Sequence, residues 1–265
     1  MDLGLAGARV VVTGGASNIG RGIVHAFAGE GARIVINDID AKQAEKVRAE
    51  TLELGAAAVE LAIADLTEPG AAEETVGTAV SSWGGIDVLV NNAGWSVPGF
   101  IATDTDRDKW QRTIEINLFT AIAATQAAIP PMKDVGGGAI LFIASDAAFG
   151  QIRQGVYGAS KAAMVALART TAREHGRHGI RSNIICPGLV VPEGPEAIGE
   201  KSLWAVGKDN IFNQNQIDYM LKDTPLRRLT IAEDIGRAAL FFCSPTAARQ
   251  ITGQLISVSG GYTMP

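Results

Sequence analysis

Short β-branched runs alternate with helix-period stretches along almost the whole chain, and this alternation constrains the fold more than any other feature. The apolar runs at residues 9–12, 33–36, 59–63, 88–90, 139–143, 182–185 and 254–258 read as strands. Between them, residues 18–30, 41–54, 68–83, 107–132, 157–174 and 232–242 carry the helical period. Strands this short and this continuously apolar are buried on both faces. Regular alternation with helices predicts a parallel sheet covered on both sides, with ligands held beyond the carboxyl ends of the strands.

The chain has 265 residues, 47% hydrophobic and 19% charged, which suits one α/β domain better than two small ones. A formal charge of −5 argues against an electrostatic nucleic-acid partner. Cys186 and Cys243 stand far apart in apolar runs. They fit neither a disulfide framework nor a metal site and suit a reducing cytoplasm. His175 and His178 close a helix-like stretch and read as surface groups. The start at Met1 lacks a basic region followed by a long apolar core, so neither a secretion signal nor a membrane span is expected.

The first strand runs into Thr13, Gly14, Gly15, Ala16, Ser17, Asn18, Ile19 and Gly20. A glycine cluster also marks ordinary turns. Here it follows a strand and opens a helix, where backbone amides and the helix N-terminus can hold a pyrophosphate. The second strand ends at Asp38, eighteen residues past Gly20. A carboxylate there accepts from both ribose hydroxyls of NAD and repels the 2′-phosphate of NADP. No Arg or Lys lies in the turn or directly after Asp38, so NAD is the expected cofactor.

The turn at residues 13–20, Asn91-Asn92-Ala93-Gly94, Tyr157-Gly158-Ala159-Ser160-Lys161 and Pro187-Gly188 occur in the order and spacing of the short-chain dehydrogenases/reductases. The chain resembles that family from about residue 5 to 264. The resemblance implies one doubly wound, Rossmann-type domain over 1–265, with about seven parallel strands and helices on both faces; the strandless stretch at about 189–226, bracketed by Pro192, Pro195 and Pro225, reads as a lid insertion. The resemblance implies cofactor contacts at Gly14, Ser17, Asn18, Ile19, Gly20, Asp38, Asp65, Leu66, Asn91, Ala93, Gly94, Tyr157, Lys161, Pro187 and Val190, and no metal. Asn117, Ser145, Tyr157 and Lys161 match the family's catalytic tetrad. The family's middle turn glycine is Asn18 here, the non-glycine type that best tolerates a left-handed backbone. The threonine common after Pro-Gly is replaced in the stretch Val190-Val191-Pro192.

The chemistry this implies is interconversion of a secondary alcohol and its ketone, with Tyr157 exchanging the proton. An ordinary tyrosine ionises near pH ~10, too high for a good base at neutrality. Lys161 lies one helical turn away on the same face, and its ammonium is expected to lower that value. Ser145 is placed to steady the developing oxyanion. By the resemblance, Asn117 holds a water that links Lys161 to solvent.

The segment 193–224 is expected to cover the substrate. Its Trp204, Phe212, Tyr219 and Met220 either line an apolar pocket or pin the lid to the body. Three lysines against six carboxylates disfavour a highly anionic substrate. Asn210, Asn213, Gln214, Asn215 and Gln216 are either partners for sugar hydroxyls or solvated. Residues 91–95, 143–148, 173–180 and 251–264 also resemble dehydrogenases of alicyclic hydroxyacyl-CoA thioesters. A neutral cyclic or aryl alcohol is the first expectation; sugar or polyol and hydroxyacyl-CoA dehydrogenases are the alternatives. A catalytically silent NAD-binding regulator would carry a broken tetrad, and this one is intact. By the resemblance a homotetramer is expected, and the small residues at 159–172 suit helix packing, within the monomer or between copies.

Overall fold

The computed structural model describes residues 2–205 and 214–265. Seven strands form one parallel sheet: β1 (Arg9–Thr13), β2 (Arg33–Asp38), β3 (Ala58–Ile63), β4 (Val88–Asn91), β5 (Gly138–Ile143), β6 (Ile180–Pro187) and β7 (Leu255–Val258). Their spatial order is β3-β2-β1-β4-β5-β6-β7. The order reverses beside β1, so the crossovers leave β1 and β4 in opposite directions and open a crevice at their carboxyl ends. Register aligns Thr13 with Asn37 and Val12 with Val90, which brings the ends of β1, β2 and β4 to one edge.

Helices cover both faces: α1 (Asn18–Gly29), α2 (Ala41–Glu53), α3 (Ala71–Trp83), α4 (Arg107–Ile114), α5 (Thr120–Asp134), α6 (Gly155–His175), α7 (Gln214–Asp223) and α8 (Ala232–Cys243). Successive strand residues point to opposite faces, and the core divides accordingly. Val10, Val12, Ile34 and Ile36 pack with Ile23, Phe27 and Ile235 on one side. Val11, Val35, Leu89 and Phe142 pack with Val76, Ala124 and Met164 on the other. Small residues bring helices close on the first side: a Cβ on Gly22 would sit 2.7 Å from Ala232.

The helix expected over 107–132 is interrupted. A π turn at Glu115–Phe119 separates α4 from α5, and it carries Asn117. Such single π turns insert one residue into a helix and re-aim its neighbours. Pro130 and Pro131 lie inside α5 without ending it. Cys186 and Cys243 are buried and free, as expected. His175 and His178 are half buried, with ring centres 5.8 Å apart, so they are less exposed than the sequence implies. Among the described residues no helix is long and apolar enough to cross a membrane.

The insertion after β6 is not wholly irregular. It holds a 3-10 turn at Pro195–Ala197 and the helix α7. Of the expected lid residues, Asn210, Phe212 and Asn213 lie outside the described residues. Tyr219 is 64% exposed, whereas Trp204 is half buried.

Candidate active site

The glycine-rich turn is shaped by two left-handed residues, Gly14 at φ 60° and Asn18 at φ 43°. Asn18 thus occupies the conformation that a glycine would otherwise supply. Its side-chain amide donates to the carbonyl of Val190 at 3.1 Å, tying the turn to the stretch after Pro187. The surface is bare because it has no room for side chains. A Cβ on Gly14 would lie 3.0 Å from the Ala93 backbone, and one on Gly20 would collide with Gly14 and lie 2.7 Å from Asn92.

A clip that the sequence reading did not single out holds this turn against β4. The Asn92 side chain donates to the carbonyls of Thr13 and Gly14, both at 2.9 Å. The Thr13 hydroxyl accepts from the backbone N–H of Asn92 at 2.9 Å and of Ala93 at 3.0 Å. Asn92 sits inside the motif already recognised, so position was its signal and role was not.

Asp38 ends β2 beside the turn. Its carboxylate accepts from the N–H of Ala16 and of Asp40, both at 3.0 Å. Burial raises its pKa above the ordinary aspartate value, and the backbone donors at Asp40, Ala16 and Ile39 oppose the rise. Asp65 is exposed and lines an open cavity of about 340 Å³ with Thr67, Asp108, Gln111, Arg112 and Glu115. The Leu66 side chain belongs to the core layer. Asn91 likewise turns inward, donating to Thr125 Oγ1 at 3.0 Å, while its buried Oδ1 has no partner among the described residues. Bare glycine backbone, amides at the start of α1 and a carboxylate at the end of β2 together fit a dinucleotide.

The four expected catalytic residues come from one helix, α6, and from two turns, the π turn Glu115–Phe119 and the 3-10 turn after β5. Ser145 follows β5 and caps the 3-10 turn Asp146–Phe149 by accepting from the N–H of Ala147 at 3.1 Å. Tyr157 and Lys161 stand in α6. The Ser145 side chain lies near enough to the Tyr157 hydroxyl to influence its ionisation. Asn117 is fully buried; its Oδ1 accepts from the N–H of Trp95 at 2.7 Å. Its amide donates to the carbonyl of Trp95 at 2.8 Å and to Ser160 Oγ at 3.1 Å. These bonds tie the Asn117 side chain to the β4–α4 loop and α6. Gly94 lies where these groups converge: a Cβ there would be 3.1 Å from Asn117 Oδ1 and 3.3 Å from Lys161 Nζ.

The electrostatics correct one expectation. Burial raises the pKa of Tyr157 above the ordinary tyrosine value, and only the nearby Ser145 side chain opposes it. Lys161 donates to the carbonyl of Ile143 at 2.9 Å, and burial lowers its pKa to about 8. A shared helix face put the two residues in proximity but did not aim the ammonium at the phenol. With its pKa held above the ordinary value, Tyr157 is a neutral phenol at neutral pH, a proton donor. Cys186 lies nearby with its thiol pushed up to about 12 by burial, so it adds no nucleophile.

Two neighbours escaped the sequence reading. Gly158 has no signal beyond its place between Tyr157 and Lys161, yet a Cβ there would lie 2.5 Å from the Ala147 carbonyl. Asp146, buried next to Ser145, accepts from Ser257 Oγ at 2.8 Å.

Comparison with known proteins agrees with this geometry. The family model described as "Enoyl-(Acyl carrier protein) reductase" matches residues 14–263. The chain is 35% identical over 261 residues to the 7alpha-hydroxysteroid dehydrogenase of Escherichia coli K12, covering 98% of this chain and 96% of that one. It is 33% identical over 264 residues to the hydroxy(phenyl)methylsuccinyl-CoA dehydrogenase subunit BbsD of Thauera aromatica, covering 99% of each. The solved structure of a 7alpha-hydroxysteroid dehydrogenase with NADH and 7-oxo glycochenodeoxycholic acid superposes with a TM-score of 0.88 at 35% identity, covering 98% of this chain and 96% of that one.

Proposed function

Because the chain belongs to the short-chain dehydrogenase/reductase family, we propose that it interconverts a neutral cyclic or aryl secondary alcohol and its ketone with NAD. The chain is an oxidoreductase acting on CH–OH groups, as its relatives are, and NAD is its cofactor. The observation that carries the reading is the approach of the Ser145 and Tyr157 side chains next to buried Lys161.

Gly14, Ser17, Asn18, Ile19 and Gly20 would hold the pyrophosphate, Asp38 the adenosine ribose, and Gly94, Lys161 and Val190 the nicotinamide half. When bound, the cofactor takes up or gives the hydride. In reduction, Tyr157 gives its proton to the substrate oxygen while Ser145 holds that oxygen by a hydrogen bond. In oxidation, Tyr157 takes the proton. Lys161 is cationic below about pH 8 and favours the phenolate when that charge develops.

Exposed apolar side chains flank Tyr157 on two loops and favour an apolar substrate body. They are Val97, Phe100 and Ile101 before α4, and Phe149 and Ile152 before α6. The loops are joined by Gly99 N–H to the Arg153 carbonyl at 2.8 Å and by Ser96 Oγ to Gln154 Oε1 at 3.0 Å. A second reading, a hydroxyacyl-CoA substrate, is favoured by the likeness to BbsD. Initial rates with NAD on neutral cyclic and aryl alcohols, hydroxyacyl-CoA esters and sugars decide between them. Highest kcat/KM on a CoA ester or a sugar refutes the neutral-alcohol reading.

We also read the protein as a cytoplasmic homotetramer. Exposed Phe119 and Met264 are apolar surface that neighbouring copies would bury. Light scattering that gives a monomer refutes the assembly.

A further inference from the structure

Residues 195–201 sit where a substrate roof is expected, but their bonds run to the other end of the cleft. The N–H of Gly199 donates to Ser17 Oγ at 3.1 Å. The N–H of Lys201 reaches Asp40 Oδ2 at 3.4 Å, and its ammonium donates to the carbonyl of Ile39 at 2.8 Å. The carbonyl of Glu196 accepts from Gln43 Nε2 at 3.3 Å and from Lys46 Nζ at 2.8 Å. Lys42 and Glu200 pair at 3.1 Å. Every one of these partners belongs to the glycine-rich turn or to the residues just past Asp38.

Two details show that this is a fitted contact. A Cβ on Gly199 would meet Asp40 and lie 2.8 Å from Gln43 Cβ. Ser17, the N-cap of α1, makes no side-chain capping bond. Its hydroxyl accepts from the strap and keeps its own proton for a further acceptor. A ribose oxygen or phosphate at the turn is such an acceptor.

We propose that residues 195–201 form a strap across the adenosine end of the cofactor cleft, where they aim the Ser17 hydroxyl and slow the release of the bound dinucleotide. This rests on the cofactor reading above. The strap thereby separates two jobs within one insertion, because its bonds serve the cofactor rather than the alcohol. The exposed Lys42–Glu200 pair contributes little. The backbone bonds to Ser17 and Asp40, the Lys201 ammonium on the Ile39 carbonyl and the close fit at Gly199 carry the contact.

The test is stopped-flow release of NADH from the full chain, with ADP-ribose binding by calorimetry, in wild type, Gly199→Val and Lys201→Met. The two variants act independently, one by bulk and one by loss of a bond. NADH leaves about tenfold faster from the variants, as the loss of one or two hydrogen bonds would give. ADP-ribose weakens in parallel, and the alcohol KM at saturating NAD stays within about twofold. Unchanged NADH release in both variants overturns the strap. So does a raised alcohol KM with normal NADH release, which marks a substrate lid. Wild type that binds neither NADH nor ADP-ribose refutes the cofactor reading itself, and the strap with it.

Discussion

The ammonium of Lys161 donates to the main-chain carbonyl of Ile143 and lies 5.8 Å from the centre of the Tyr157 ring. It is therefore not aimed at the phenol, and burial holds the Tyr157 pKa above its ordinary value. Tyr157→Phe removes the only exchangeable proton of that side chain. Turnover should fall by about 10²–10⁴-fold, with NADH fluorescence titration unchanged. An active Phe variant rules out the proposed proton donor.

Asp38 is the residue on which cofactor choice turns. Asp38→Asn keeps an oxygen acceptor and removes the charge that repels a 2′-phosphate. The ratio of kcat/KM for NAD to that for NADP should drop by about tenfold or more. A ratio unchanged by the substitution means that another group sets the preference.

Asp146 gives a pH-dependent stability of definite sign. Burial raises its pKa from 3.8 to about 6 against the hydrogen bond from Ser257 and the nearby Thr263 and Ser259. The folded chain binds this proton more tightly than the unfolded chain does. Stability from this group is full below pH 3.8 and is lost as pH rises through about 6. Above that, the buried carboxylate costs roughly 3 kcal/mol. Asp146→Asn should melt several degrees higher than wild type at pH 7.5, with the gain vanishing near pH 4. Thermal melts across pH check this, and an equal gain at both ends contradicts it.

Gly158→Ala tests how closely α6 must approach the Ser145 turn. The added methyl would press on the Ala147 carbonyl at 2.5 Å and push Ser145 from Tyr157. A misplacement of this kind costs up to about 100-fold in rate. The expected signature is lower kcat with unchanged NADH affinity, and normal kcat would show that the turn yields freely.

The βα order and the parallel sheet were legible in the sequence, because each depends on local pattern, whereas the tetrad was read from family resemblance alone. Continuous apolar runs specify doubly buried strands, and Asn18 was readable as a left-handed residue because its side-chain type tolerates that backbone. The spacing of Tyr157 and Lys161 fixes them on one helical face. The direction of the Lys161 ammonium was not legible, since it depends on the Ile143 carbonyl of β5, which meets α6 only through tertiary packing. The same holds for the strap. Residues 195–201 and 39–46 are far apart in sequence, and nothing local says that Gly199 will meet Ser17. Burial likewise decided the protonation of Tyr157 and Asp146. A sequence names the titratable group, but the folded surroundings set the cost of charging it.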